Sequence, residues 1–170
     1  MSLFKKLYGS RCLAVLLLSI SLSLSLPEIA LAQQSPEFNL TSNQGTVVLS
    51  RLRGKVVYLD FWASWCKPCR HSFPFMNELQ ERYARQGLVV IAVNLDDEQK
   101  NAEQFLEKYP ATFVIAYDKI GATPKLYGLT VMPSSWIIDK QGNIIRQDIG
   151  FKEADQEIIE KTIRQELAKK

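Results

Sequence analysis

The chain has 170 residues, 46% of them hydrophobic, with three cysteines, one histidine and a formal net charge of +3. Lys5, Lys6 and Arg11, less Glu28, account for +2 of that charge; beyond residue 32 cations and acids are interleaved, which excludes a nucleic-acid-binding surface. Cys12 also lies in the leading segment, and the two cysteines that remain are too few for the disulfide framework of a small secreted domain.

Residues 1–32 read as a secretory signal peptide. A basic start precedes an apolar run over 13–26 relieved only by serines; Pro27 breaks it, and Ala30 and Ala32 supply small residues where a signal peptidase reads them. The run falls short of the roughly 20 apolar residues of a membrane span. An uncleaved signal anchor, which would leave the protein membrane-attached, is the competing reading. Cleavage after Ala32 leaves one domain's length, with 33–37 a short polar tail and 38–170 the folded domain.

Segments 38–40 and 46–49 predict a small hairpin about a turn over 41–45. Gly54 marks a further turn, after which 55–62 has the dense apolar run of a central strand covered on both faces. Segments 88–95 and 112–117 have the same character, and 136–138 and 143–145 flank a turn at 139–142. Between the strands the apolar period lengthens. Phe73, Met76 and Leu79 share one face of a helix running from the cysteines to about Gln86, closed by Gly87. Asp96 and Asp97 are placed to cap a second helix carrying Ala102, Phe105 and Leu106. Segment 122–127 predicts a short third helix, and Ile159, Ile163 and Leu167 mark a fourth. Strands alternating with helices before a closing hairpin and helix predict the α/β class, a mixed central sheet flanked by helices.

Cys66 and Cys69 sit in FWASWCKPC (61–69), where the central strand runs into the first helix. Unpaired backbone N–H groups and the helix dipole favour an anion there, and the thiolate is the nucleophile of disulfide exchange. The two intervening residues leave the sulfurs within reach of each other, so a mixed disulfide on Cys66 can be resolved by Cys69. Pro68 stiffens the turn and suits the first turn of a helix, while Lys67 adds a positive charge beside Cys66. Zinc would need two further ligands, and beyond residue 32 only His71 is left to offer. A staple closing so short a loop constrains the unfolded chain very little. The pair therefore reads as a redox-active disulfide, with no metal and no other cofactor.

FWASWCKPC resembles the active site of the thioredoxin family. VMPSS (131–135) resembles that family's second signature, a cis-proline packed against the disulfide, and Pro74 matches the proline that kinks its first long helix. SPEFNL (35–40) and VLSRLRGKVV (48–57) resemble the N-terminal hairpin and approach strand of the TlpA/ResA-like branch. Between Cys69 and Pro133 there is also room, over about 98–117, for that branch's additional helix and strand. The resemblance spans nearly all of 33–170. It implies a thioredoxin-like fold with an N-terminal β-hairpin and an extra helix-strand insertion. It also implies an exported thiol:disulfide oxidoreductase, a reductase of disulfides in client proteins, apo-cytochromes among them. Pro133 would lie against the pair, and the Met132 backbone would offer strand-like hydrogen bonds to a substrate peptide. Trp65, next to the nucleophile, is better placed than Trp62 to shape that surface. Electrons must come from an upstream dithiol donor, expected at the membrane, because the domain has no nicotinamide or flavin motif. The periplasm is the expected compartment, and a photosynthetic lumen the alternative.

Two positions depart from the branch's pattern. Its usual glutamate three residues after the second cysteine is replaced by Ser72, and Asp60 stands where classical thioredoxins keep a buried acid. A carboxylate in an apolar strand is costly without a role or a partner. Desolvation should raise its pKa and suit it to take the Cys69 proton; the alternative is that it meets Lys55, Lys67 or solvent. His71 is a candidate substitute for the missing glutamate. Among other activities, a peroxiredoxin-like peroxidase would place threonine where Ala63 stands. A copper-delivery module would space its cysteines by three and add a distal histidine.

Overall fold

Strand β3 (Val56–Trp62) is buried at all seven positions, as a strand covered on both faces must be. The computed structural model, which describes residues 33–169, builds the sheet outward from it. On one side lie β4 (Leu88–Asn94) and β5 (Val114–Tyr117), each parallel to its neighbour. On the other lie β6 (Ser134–Ile138) and β7 (Ile144–Ile149), both antiparallel. The hairpin of β1 (Asn39–Ser42) and β2 (Gly45–Val48) extends the β5 edge, giving the order β2-β1-β5-β4-β3-β6-β7. Helix α1 (Cys69–Tyr83) follows β3 and α2 (Gln99–Lys108) follows β4; α3 (Ala122–Leu126) precedes β6, and α4 (Gln156–Ala168) comes last. This is the predicted mixed α/β architecture, with its N-terminal hairpin and its helix-strand insertion, α2 and β5. The predicted signal peptide lies outside the described residues.

The two-residue period of β3 divides the core. Val56, Tyr58 and Trp62 pack with Phe73, Met76 and Leu79 of α1, Phe105 of α2 and Ile159 and Ile163 of α4, and the same layer contains both cysteines. Val57, Leu59 and Phe61 pack on the opposite face with Phe38, Leu49, Tyr127 and Trp136. Asp60 has the parity of Tyr58 and Trp62, so its side chain belongs to the cysteine-bearing face.

Three expectations are corrected. The first hairpin is tighter and longer than predicted, because Thr41 and Ser42 are drawn into the sheet by pairing with Tyr117 and Ala116 of β5. The Ser42 hydroxyl then clasps the turn, donating to Gly45 O and accepting from Gln44 N–H. The polar tail is tied down: Ser35 N–H donates to Gly142 O, Ile144 N–H donates to Gln33 O, and Ser35 is buried. Helix α2 starts at Gln99 without a side-chain cap, and Asp96, predicted to cap it, bonds elsewhere. The end of α1 is as expected in kind. A 3-10 turn over Ala84–Gln86 leads into Gly87, whose φ of 105° is a left-handed value that favours glycine.

Candidate active site

The site is assembled where β3 ends. Cys66 N–H donates to Ala63 O at 3.0 Å, and Cys69 N–H to Cys66 O at 3.2 Å, so the chain turns twice before α1 begins at Cys69. Pro68 already has helical dihedrals and serves as the N-cap residue. Cys66 therefore lies just ahead of the helix rather than within its first turn.

Cys66 and Cys69 are joined in a disulfide with Cα atoms 5.4 Å apart. Their exposures, 5% against 0%, distinguish them: of the two, only Cys66 reaches the surface. It opens into a groove of about 440 Å³, with Trp65, Lys67 and Pro68 along one wall and Leu129, Val131 and Met132 along the other. The Met132–Pro133 peptide bond is cis, Pro133 is buried, and Met132 packs on the core layer that holds the cysteines. Among the described residues the Met132 N–H and C=O make no hydrogen bond. Trp65 is 67% exposed and stands at the groove, whereas Trp62 is fully buried against Phe73 and Phe105 at 5.0 and 4.8 Å.

Asp60 is buried in β3, opposite Ser135 of β6 and Ala92 of β4. Its Oδ1 has no hydrogen-bond partner, and among the described residues it joins no ion pair, with Lys55 and Lys67 both solvent-exposed. Burial pushes its carboxyl well above the ordinary carboxylate range. Tyr58, on the same face, is raised too, by burial first and by the Asp60 charge second, while a hydrogen bond with Ser135 opposes the rise. Ser72, in place of the branch's glutamate, is fully buried and donates to Cys69 O at 3.0 Å. His71 is exposed on α1 and Lys67 on the turn.

Sequence reasoning missed the role of Asp96. It is 4% exposed, and its carboxylate accepts from Ser64 N–H, Ser64 Oγ–H and Asn94 Nδ2–H. A polar Asn94-Leu-Asp96 ending to an apolar strand was the available signal; the strand order that carries it to the cysteine turn was not visible along the chain.

Residues 30–163 match the Redoxin family. The chain belongs to that family. This redoxin is 35% identical over 130 residues to the thiol-disulfide oxidoreductase ResA of Bacillus thuringiensis subsp. konkukian, spanning 76% of this chain and 75% of that one. A solved structure from Chlorobium tepidum, assigned as the thiol:disulfide interchange protein DsbE, is 47% identical with a TM-score of 0.78, covering 81% of this chain and 97% of the other. The exposed lipoprotein thioredoxin Etrx1 of Streptococcus pneumoniae is 28% identical with a TM-score of 0.67, covering 76% of this chain and 99% of that chain. The redoxin has the thioredoxin-like fold, sits in the TlpA/ResA-like branch and is a thiol:disulfide oxidoreductase.

Proposed function

We propose that this redoxin is an exported disulfide reductase that acts on client proteins through Cys66 and Cys69. The observation that carries the reading is the unequal exposure of the pair, a reachable Cys66 at the head of an apolar groove and a buried Cys69 behind it.

In the dithiol form the Cys66 thiolate attacks one sulfur of a client disulfide. That bond breaks, a Cys66–client disulfide forms, and the first client sulfur leaves as a thiolate. Asp60 accepts the Cys69 proton, directly or through water. The Cys69 thiolate then attacks Cys66, regenerating the Cys66–Cys69 disulfide and releasing the second client thiolate. Two electrons have passed to the client, and the pair is the only redox group the cycle uses. A dithiol donor, expected to be membrane-bound, returns the electrons by the same exchange in reverse. Met132 and Pro133 hold the client segment extended, with its apolar side chains against Trp65 and Val131. Lys67 and Pro68 shape the turn that carries the nucleophile.

Equilibration of the pair with glutathione tests the direction. A reductase is expected to lie below about −200 mV, towards the thioredoxin end of the scale, and a value near about −120 mV would make it an oxidant instead. Export, to the periplasm, has its own check. The chain recovered from the periplasmic fraction should begin at Gln33, and retention of residues 1–32 on a membrane-bound form would favour the anchor.

A further inference from the structure

We propose that Asp96 is a positioning residue for disulfide exchange, holding through Ser64 the turn that presents the Cys66 sulfur. The inference rests on the reading of Cys66 as the attacking thiol.

Asp96 lies two residues beyond the end of β4, where Trp62 of β3 pairs with Asn94 and Leu95 N–H donates to Trp62 O at 2.9 Å. The two strands therefore end side by side, just where β3 releases the chain towards the cysteines. Across that gap Asp96 Oδ2 accepts from Ser64 N–H at 2.9 Å and from Asn94 Nδ2 at 2.7 Å, and Oδ1 accepts from Ser64 Oγ at 2.8 Å. Asp96 N–H in turn donates to Asn94 Oδ1 at 3.2 Å. Both carboxylate oxygens are used, and two of the three donors belong to one residue, two positions before Cys66. Charge-assisted bonds to a buried carboxylate are among the stronger ones a fold can make. Ser64 itself lies inside the turn closed by the Cys66 N–H to Ala63 O bond, so fixing Ser64 fixes the approach to the sulfur.

The state of the cysteines decides when this clamp matters most. With the disulfide closed, the covalent tie from Cys66 to α1 holds the turn as well. In the dithiol that tie is gone, and the bonds to Asp96 remain as the anchor from outside the turn. Losing them should therefore destabilise the dithiol more than the disulfide, moving the couple towards the disulfide and misplacing the attacking sulfur. Replacing the Asp96 carboxylate also acts electrostatically, with the opposite sign: loss of a negative charge alone would favour a nearby thiolate and move the couple towards the dithiol. The ionisable side chains near Cys66 in the sequence are Lys67, Arg70 and His71, all exposed, and the buried Asp60. Position and charge thus predict shifts of opposite sign.

The test uses the chain from Gln33 to Lys170, with Asp96→Ala, Asp96→Asn and Ser64→Ala, each first shown to be folded by circular dichroism. For Asp96→Ala, the equilibrium constant against glutathione should shift about tenfold towards the disulfide, a potential about 30 mV more negative. Its second-order rate of client disulfide reduction should fall about tenfold, as expected for a displaced reacting atom. Ser64→Ala loses one of the three bonds and should move both quantities the same way by about threefold; Asp96→Asn should fall between the two. An unchanged potential and rate in a folded Asp96→Ala, or a shift towards the dithiol, overturns the proposal. If Asp96→Ala does not fold, Ser64→Ala decides by the same criteria. Survival of turnover in Cys66→Ser would instead overturn the reading of Cys66. Full dependence on Cys66 with indifferent Asp96 and Ser64 variants would overturn this inference alone.

Discussion

Cys69→Ser is expected to turn the enzyme into a trap for its clients, and Cys66→Ser to silence it. Cys66 is the one sulfur of the pair that lines the groove, and Cys69 is wholly buried behind it. Without Cys66 nothing can open the client disulfide, so turnover in an insulin-reduction assay should fall by at least about a thousandfold. Without Cys69 the first exchange still proceeds, but the Cys66–client bond has no internal thiol to break it. A thiol-labile covalent complex should then accumulate on non-reducing gels. In Cys66→Ser such a complex should be missing, because the remaining thiol is fully buried. Accumulation of the complex in Cys66→Ser would reverse the assigned roles. Sustained peroxide consumption by Cys69→Ser with a small-molecule thiol as the reductant, and no protein disulfide supplied, would favour the peroxidase alternative.

The sequence pattern disclosed those roles unevenly, for physical reasons. The run at 55–62 was legible as the central strand because a strand buried on both faces has no room for polar alternation, and it lies within one residue of β3. Asp60 was legible for the converse reason, as the one acid in that run. Cys66 and Cys69 announced themselves by spacing, and Met132 and Pro133 by resemblance to the cis-proline loop. Local sequence could not tell which residues the strand order gathers around the turn. Asp96 looked like a helix cap, because a short acid ahead of a helix is usually one. Only the parallel pairing of β3 with β4 brings it beside Ser64, thirty-two residues earlier in the chain. The groove wall is a similar case: Leu129 and Val131 precede the cis-proline by two to four residues, but their service as a wall depends on where the Trp65 turn comes to rest. Hairpin limits were misjudged because Thr41 and Ser42 carry no apolar signal and are recruited by β5.

Asp60→Asn is expected to leave the fold more stable and the enzyme slower. Burial raises the folded carboxyl above its unfolded value, so between the two values the native state holds the extra proton. The stability associated with Asp60 is therefore fully present below the unfolded value, about pH 3.9, and is lost as pH rises through the raised folded value, because the charge must then be buried. Asparagine carries no such dependence. In denaturant titrations the variant should match the wild type near pH 4 and surpass it increasingly towards neutral and alkaline pH. Tyr58, facing the same side of β3, is itself raised by burial and remains a neutral phenol across this range.

The kinetic consequence runs the other way. An ionised Asp60 can take the Cys69 proton, so wild-type resolution of the mixed disulfide should accelerate as pH passes the raised value of Asp60. In Asp60→Asn the acceleration must wait for Cys69 to ionise unaided. In single-turnover measurements the variant should be about a hundredfold slower at neutral pH, the scale of general base catalysis, and should approach the wild type in alkali. A variant that loses stability and rate together would assign Asp60 a structural part. A stabilised variant with an unshifted pH profile would send the proton elsewhere. A gain in stability coupled to a loss of rate at one residue is the signature of a carboxylate kept buried for its chemistry.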